Sequence, residues 1–288
     1  MTETQRAAAW MGGTVLSFSA MAIAGREASI ALDTFEIMLF RSLVGIVIVT
    51  AIAAAAGRLN EIRTDRLGLH ALRNASHFAG QNLWFFALTG ITFAEVFAME
   101  FTTPLWAILL APLVLGERID RRQLLAAGIA FAGILMVARP SPERLDPALL
   151  AAAGCAVGFA LSALFTRRLT RDQSVTCILF WLTVMQAGLG LAFAGADGDI
   201  AWPTADALPW LGVVSIGGLT AHFCLTQALA RAPAATVMPV DFLRLPLIAV
   251  LGALFYDETL HPMVFAGATL IIAANWANLR ISAQPGRA

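Results

Sequence analysis

Apolar runs of about 20 residues, the length an α-helix needs to cross the hydrocarbon core of a bilayer, recur ten times along this chain and leave it little choice of fold. They fall near residues 7–25, 33–57, 68–89, 91–115, 122–139, 147–166, 174–194, 207–230, 235–256 and 262–280. Backbone polar groups in hydrocarbon must be satisfied within the spanning structure itself, which favours helices over any open arrangement of strands. Hydrophobic residues make up 59% of the 288 and charged residues 13%, a balance outside the range of soluble domains. The connections are too short to hold a soluble domain, and a net charge of zero gives no basic patch for nucleic acid. The expected fold class is therefore an all-α integral membrane protein of ten transmembrane helices. Breaks between spans are marked by Asp33 and Glu36, spaced as an N-cap and its N3 partner, by Gly57, and by Arg139-Pro140-Ser141-Pro142, which cannot continue a helix.

Sliding the chain along itself by 141 residues, without gaps, superposes Gly13 on Gly154, Phe18 on Phe159, Ile37 on Ile178, Ala87-Leu88 on Ala228-Leu229, Val96 on Val237 and Glu117 on Glu258. The chain is thus two repeats, residues 1–140 and 141–288, of five spans each. Five is odd, so the second repeat is inverted relative to the first, an architecture shared by many transporters. All 19 basic residues other than histidine are arginines; 13 fall on the side that holds the N-terminus, while Arg26, Arg139 and Arg144 fall on the other. By the positive-inside rule both termini are expected in the cytoplasm of a plasma (inner) membrane. The run from Trp10 to Gly25 has a weak n-region, with Arg6 beside Glu3, and is read as the first span rather than a cleaved leader.

The third and fourth spans carry unusual polarity: Arg73, Asn74, His77, Gln81, Asn82, Glu95 and Glu100, around a junction at 88–92. A charge at the bilayer centre costs about 2.5–3.5 kcal/mol even on the lenient insertion scale, so these groups are expected to face protein or a water-filled interior. Asn74, His77, Gln81 and Trp84 follow at i, i+3, i+7 and i+10 and form one helical stripe, fitted either to be a substrate wall or to bond neighbouring helices. Arg41, His77, Glu100 and Arg244 lie near mid-bilayer by helix rise. Glu100 and Asp241 are repeat mates. Glu100 is a candidate for holding an ammonium group or a coupling proton, or for pairing with Arg41 or Arg244; Asp241 and Arg244 are spaced for a pair on one helix. His222 and Gln227 are weaker candidates on the eighth span, and Phe97, Phe101, Trp106, Phe223 and Phe242 are rings for a cavity wall or for plain packing. Glu95 sits near a helix end, and Glu117 and Glu258 read as loop or capping groups. Pro104, Pro239 and Pro246 are expected to kink the fourth and ninth helices. Cys155, Cys177 and Cys224 lie inside apolar runs and read as packing residues, with no metal-ligand or redox spacing; no metal or cofactor is expected.

Phe40-Arg41-Ser42-Leu43, Phe86-Ala87-Leu88 leading into Ala94-Glu95-Val96, and Pro104 through Leu115-Gly116-Glu117, echoed by Gln227-Ala228-Leu229, Pro233-Ala234-Ala235 and Asp257-Glu258, together resemble the ten-helix EamA-type permeases of the drug/metabolite transporter superfamily. The resemblance spans about residues 7–280. It implies a central cavity lined mainly by the third, fourth, eighth and ninth helices, and amino-acid exporters, including those for aromatic amino acids, look like the nearest functional relatives. The halves differ where Arg41 faces Leu182 and where Pro104 is one residue out of register with Pro246, which fits an asymmetric substrate.

The expected function is export of small amphipathic metabolites, foremost amino acids, by alternating access, with the substrate held by Asn74, His77, Gln81, Trp84, Glu100, Phe101, His222 and Arg244. A carrier of drugs, sugar phosphates or nucleotide sugars is the alternative. A membrane-embedded enzyme is a remote one, since no zinc-protease, nucleophile-elbow or phosphate-loop motif is present. The expected partners are the substrate and the lipid bilayer. Fused inverted halves make a monomer sufficient, and a dimer stays compatible with the sequence.

Overall fold

The computed structural model describes residues 1–116, 121–138, 146–196, 198–258 and 262–282. Within them the chain is all α-helical: α1 (Glu3–Ala28), α2 (Thr34–Ala55), α3 (Leu67–Gly90), α4 (Phe93–Glu100), α5 (Thr103–Leu115), α6 (Arg121–Ala138), α7 (Pro147–Leu169), α8 (Val175–Ala194), α9 (Ala207–Arg231), α10 (Ala234–Val237), α11 (Arg244–Tyr256) and α12 (Pro262–Ser282). Ten membrane crossings result, because α4 with α5 forms the fourth and α10 with α11, joined by a 3-10 stretch at Met238–Leu243, forms the ninth. Apolar composition alone marks six crossings of full length. The helix α3 falls outside that set because its polar residues lower its hydropathy, and those residues are the ones turned inward: His70, Arg73, Asn74, His77, Gln81 and Asn82 are all buried.

Helix starts follow the local sequence. Asp33 and Glu36 form a reciprocal capping box at α2, and Thr92 with Glu95 does the same at α4, so Glu95 is a capping residue rather than an interfacial one. The α1 helix begins at Glu3, earlier than hydrophobicity alone indicates, because Thr2 and Gln5 supply a third capping box ahead of the first apolar residue. Gly57 follows α2 with φ +66°, a conformation that favours glycine. The breaks expected at residues 139–142, and Glu117, lie outside the described residues.

The two repeats are interlocked. Each long helix takes its main partner from the other half: α1 on α9, α3 on α7, α2 on α8 and α6 on α12. The α1–α9 and α7–α3 crossings are related by the inverted repeat, and both rest on a glycine. A Cβ on Gly158 of α7 would stand 2.8 Å from the Ser76 carbonyl oxygen and 2.9 Å from Gly80 Cα, and one on Gly217 of α9 would stand 3.2 Å from the Ser17 carbonyl oxygen. Small residues that let backbones meet are the usual means of helix association in lipid. Gly158→Ala is expected to force α3 and α7 apart and cost about 1–3 kcal/mol, read as a lower melting temperature of the purified protein. Gly12→Ala, with no atom within 4 Å of the new methyl, is the control expected to melt as wild type.

The fourth and ninth crossings break at matching points. α5 and α11 each span 13 residues, offset by 141, and each ends in a left-handed residue, Gly116 (φ 69°) and Asp257 (φ 52°). The prolines do not act as mid-helix kinks. Pro104 occupies the first turn of α5, where its missing N–H would be unpaired in any case, and the chain has already broken at Phe101–Thr102. Pro246 likewise sits in the first turn of α11, and Pro239 falls in the 3-10 stretch. The proline inside a helix is Pro112 in α5. The side chains of Pro239 and Phe242 fall outside the described set.

Candidate functional site

The broken helices meet at the centre of the molecule, where they enclose a cavity of about 60 Å³ with α1, α3, α7 and α9. His77, Gln81 and Trp84 of α3 line it, joined by Glu100, Phe101 and Pro104 of the fourth crossing, Asp241 and Arg244 of the ninth, and His222 of α9. Rings of Phe18 and Phe159 and the hydroxyls of Thr14, Thr103, Ser162, Thr166 and Thr226 complete the wall. Sequence patterning did not single out the contributions of α1 and α7, since Phe18 and Phe159 were legible only as repeat mates. Buried polar atoms without a hydrogen-bond partner gather here: His77 Nε2, both ring nitrogens of His222, Asp241 Oδ1 and Arg244 Nε. The two imidazoles meet edge to face with centroids 4.6 Å apart. An unmade hydrogen bond on a buried group costs about 1–3 kcal/mol, so these atoms are the places on the wall where a polar group of a substrate gains most by bonding.

On one side of the cavity Arg244, 2% exposed, donates from Nη2 to Glu100 Oε1 and Asp241 Oδ2, both at 2.5 Å. The other Glu100 oxygen accepts the Trp84 indole N–H at 2.6 Å. Phe18, Phe97 and Phe101 surround the guanidinium at 4.9–5.4 Å from their ring centres. Both Glu100 oxygens are thereby engaged, and Trp84 serves as a polar anchor as well as an apolar wall. Glu100 answers Arg244 and not Arg41. Of the two partners left open by the sequence, Arg41 is excluded because α2, which carries it, packs against α8 and α9 rather than α4.

Arg41 has instead the thioethers of Met21 and Met38 at 4.0 and 3.8 Å. Its guanidinium reaches beside Gly218, where a Cβ would stand 3.1 Å from Nη2. Arg73 donates to Thr166 Oγ1 at 3.2 Å and to Asn74 Oδ1 at 2.9 Å. Asn74 leaves the stripe to which its spacing assigned it: its amide bonds the Trp181 carbonyl at 3.2 Å, and Gln186 of α8 donates to its carbonyl oxygen at 2.8 Å. It is outside the cavity lining and ties α3 to α8. Gln227 accepts a bond from Arg231 of its own helix and, with Phe223, borders an outer apolar groove between α2, α8 and α9. Phe97 is buried in the core, whereas Trp106 is partly exposed. The three cysteines are buried and free.

Arg26 was missed, having counted only as a charge outside the membrane. From the last turn of α1 it donates to the Leu88 carbonyl at 3.1 Å, to the Ile91 carbonyl at 2.9 Å and to Glu258 at 2.8 Å, and it stacks on Phe93 and Tyr256 at 4.1 and 4.8 Å. Glu258 also accepts the Phe93 N–H at 3.1 Å, so it joins three elements and is more than a loop group. Together they fasten α1, the α3–α4 corner and the end of α11 at one membrane face. The signal was in the repeat: Arg26 and Leu88 map onto Arg167 and Leu229, and Arg167 donates to the Leu229 carbonyl at 2.6 Å at the opposite face.

Comparison with known proteins adds three findings. A model of the EamA-like transporter family matches residues 5–139 and again 146–279. A riboflavin transporter of Brucella anthropi is 31% identical over 222 residues, 74% of this chain and 77% of its own, and an S-adenosylmethionine uptake transporter of Rickettsia felis is 24% identical over 92% of this chain and 89% of its own. One solved crystal structure superposes with a TM-score of 0.76 over 96% of this chain and 97% of that one at 18% identity, a likeness of fold.

Proposed function

The chain belongs to the EamA-like transporter family, and from that premise we propose that it carries a small metabolite built on a planar heteroaromatic ring, of the flavin or adenosine kind, by alternating access. That it is a multi-pass membrane transporter of small metabolites follows from the family; the ring-bearing substrate is inferred from the cavity wall. The observation that carries it is the wall of the central cavity, where the rings of Phe18, Trp84, Phe101 and Phe159 alternate with the hydroxyls of Thr14, Thr103, Ser162 and Thr226. Rings offer stacking faces to a flat heterocycle. Hydroxyls, and the unpartnered nitrogens of His77 and His222, serve its polar edge and any sugar-like tail. The named substrates of the two relatives both join a fused heterocycle to a hydroxylated chain or sugar. The arginine asymmetry of the sequence supports cytoplasmic termini.

The cavity holds only about 60 Å³. A metabolite of the flavin or adenosine kind needs several hundred Å³, so the half-helices of the fourth and ninth crossings must swing apart to admit it, hinging at the Phe101–Thr102 break and the 3-10 stretch before Arg244. The test is counterflow of labelled riboflavin, S-adenosylmethionine and a set of aromatic and aliphatic amino acids in proteoliposomes. Saturable movement of either heterocycle, lowered about 10-fold or more in His222→Ala, is the expected result. Movement of amino acids alone would sink the heterocycle reading in favour of an amino-acid carrier.

A further inference from the structure

Three arginines are buried between the helices, Arg41, Arg73 and Arg244, at 6%, 2% and 2% exposure, and only one of them is neutralised. Arg244 has two carboxylates. Among the described residues Arg41 and Arg73 form no ion pair, and the acceptors they do have are thioethers, a hydroxyl and an amide oxygen. Desolvating a guanidinium costs several kcal/mol unless opposite charge and full hydrogen bonding compensate it. The fold does not require that cost, and the inverted repeat supplies the internal control. The mate of Arg41 is Leu182 and the mate of Arg73 is Val214, both buried apolar residues, so the equivalent crossings in the other half are built without a charge. The mate of His77 is Gly218, and the space its missing side chain leaves is where the Arg41 guanidinium lies.

One of the two charges lines the cavity and the other lies behind its wall. Arg73 lines it directly, beside Thr166, and Met21, against which Arg41 rests, is part of the same wall. Arg41 itself borders a second, small cavity with Ser42, Thr183, Gln186 and Ser215. Opposite the two arginines Glu100 and Asp241 both bond Arg244, two carboxylates on one guanidinium. The cavity is therefore polarised, with Arg73 and, behind the wall, Arg41 on one side and one carboxylate in excess on the other.

Resting on the carrier reading above, we propose that the transported metabolite is an anion, whose carboxylate or phosphate group is received by Arg73 with Arg41 as the second positive charge. The guanidinium fork matches either oxyanion bidentately. A neutral substrate would leave both arginines uncompensated in the loaded state. An anionic one satisfies them once bound and, at the same time, meets the unpartnered His222 nitrogens. In the empty carrier the same charges draw the anion inward, since like charges in a low-dielectric cleft focus the field on it.

The experiment uses pairs of probes that differ only in the charged group: riboflavin and riboflavin 5′-phosphate, adenosine and adenosine 5′-monophosphate, N-acetylphenylalaninamide and N-acetylphenylalanine. Counterflow in proteoliposomes and thermal stabilisation of the purified protein are read for each. The expected result is that the anionic member of at least one pair is favoured by about 10-fold or more. That preference should collapse towards unity in Arg73→Gln and in Arg41→Gln and be partly kept in Arg73→Lys. A preference within the phosphate pairs or within the phenylalanine pair identifies which oxyanion is carried. Equal or better handling of the neutral member in every pair, or no response to any anionic member, overturns the proposal; the wild-type ratios decide this even if a variant fails to fold. Riboflavin or adenosine moving while their phosphates do not would overturn the anion and leave the heterocycle carrier standing. N-acetylphenylalanine moving alone would do the reverse.

Discussion

Arg244→Met is expected to destabilise the protein by about 3–5 kcal/mol, the cost of stranding buried charge when one partner of an ion pair is removed, and to abolish transport. Glu100 and Asp241 would be left 7% exposed and partly buried, side by side on one wall of the cavity with no cation between them. The triple variant Glu100→Gln, Asp241→Asn, Arg244→Met removes all three charges and should recover most of the lost thermal stability, because an ion cluster and a neutral isostere of similar volume often fold about equally well. It should not recover transport, if the cluster sets the charge of the cavity wall. Melting temperature and counterflow measured on the same preparations separate the two roles. Arg244→Met melting with wild type would refute the structural part. A triple variant that transports normally would refute the functional part.

The second large effect concerns access. Arg26→Ala removes three hydrogen bonds and two ring contacts at the face where α1 ends. Hydrogen bonds to charged groups are worth about 1.5–3 kcal/mol each, and a shift of a few kcal/mol in a two-state equilibrium changes the minor population by about 100-fold. The expected outcome is a carrier resting open at that face. A cysteine introduced at the cavity residue Ser162 should then react with an impermeant maleimide at least 10-fold faster from that side, and net transport should fall because the opposite opening becomes the rare state. Glu258→Gln should act in the same direction with a smaller amplitude, since the bonds to Leu88 and Ile91 survive. Arg167→Ala should raise reactivity from the other side. Unchanged labelling in Arg26→Ala would make the cluster a fixed corner brace instead of a latch.

Much of this architecture is written in the chain at the level of pattern. The ten crossings follow from apolar length, and their pairing into halves follows from the 141-residue offset, because both depend on residue type alone. The breaks in the fourth and ninth crossings were not legible: Phe101 and Thr102 carry no helix-breaking signal, and the nearby prolines suggest a bend where they in fact begin a new helix. The cavity was legible through α3, whose polar residues have no other place to go, but spacing could not tell which neighbour each would meet. His77, Gln81 and Trp84 reach the cavity, whereas Asn74, on the same stripe, meets α8. Partner choice among ionic groups depends on how helices pack, so Glu100 could be placed at mid-depth from sequence but not assigned to Arg244. Arg26 was overlooked because topology counting treats an arginine as a charge with an address and not as a set of five donors.

The interlocking of the halves bears on how the protein is made. At a synthesis rate of about 5–20 residues per second, α9 emerges roughly 10–40 s after α1, the helix it will embrace, and α12 follows α6 by a comparable delay. During that interval the early spans sit in the membrane with their polar stripe uncovered, before the glycines of α7 and α9 that will seat against them have been made. The nascent first half is thus an unfinished object whose completion depends on the arrival of its own inverted copy.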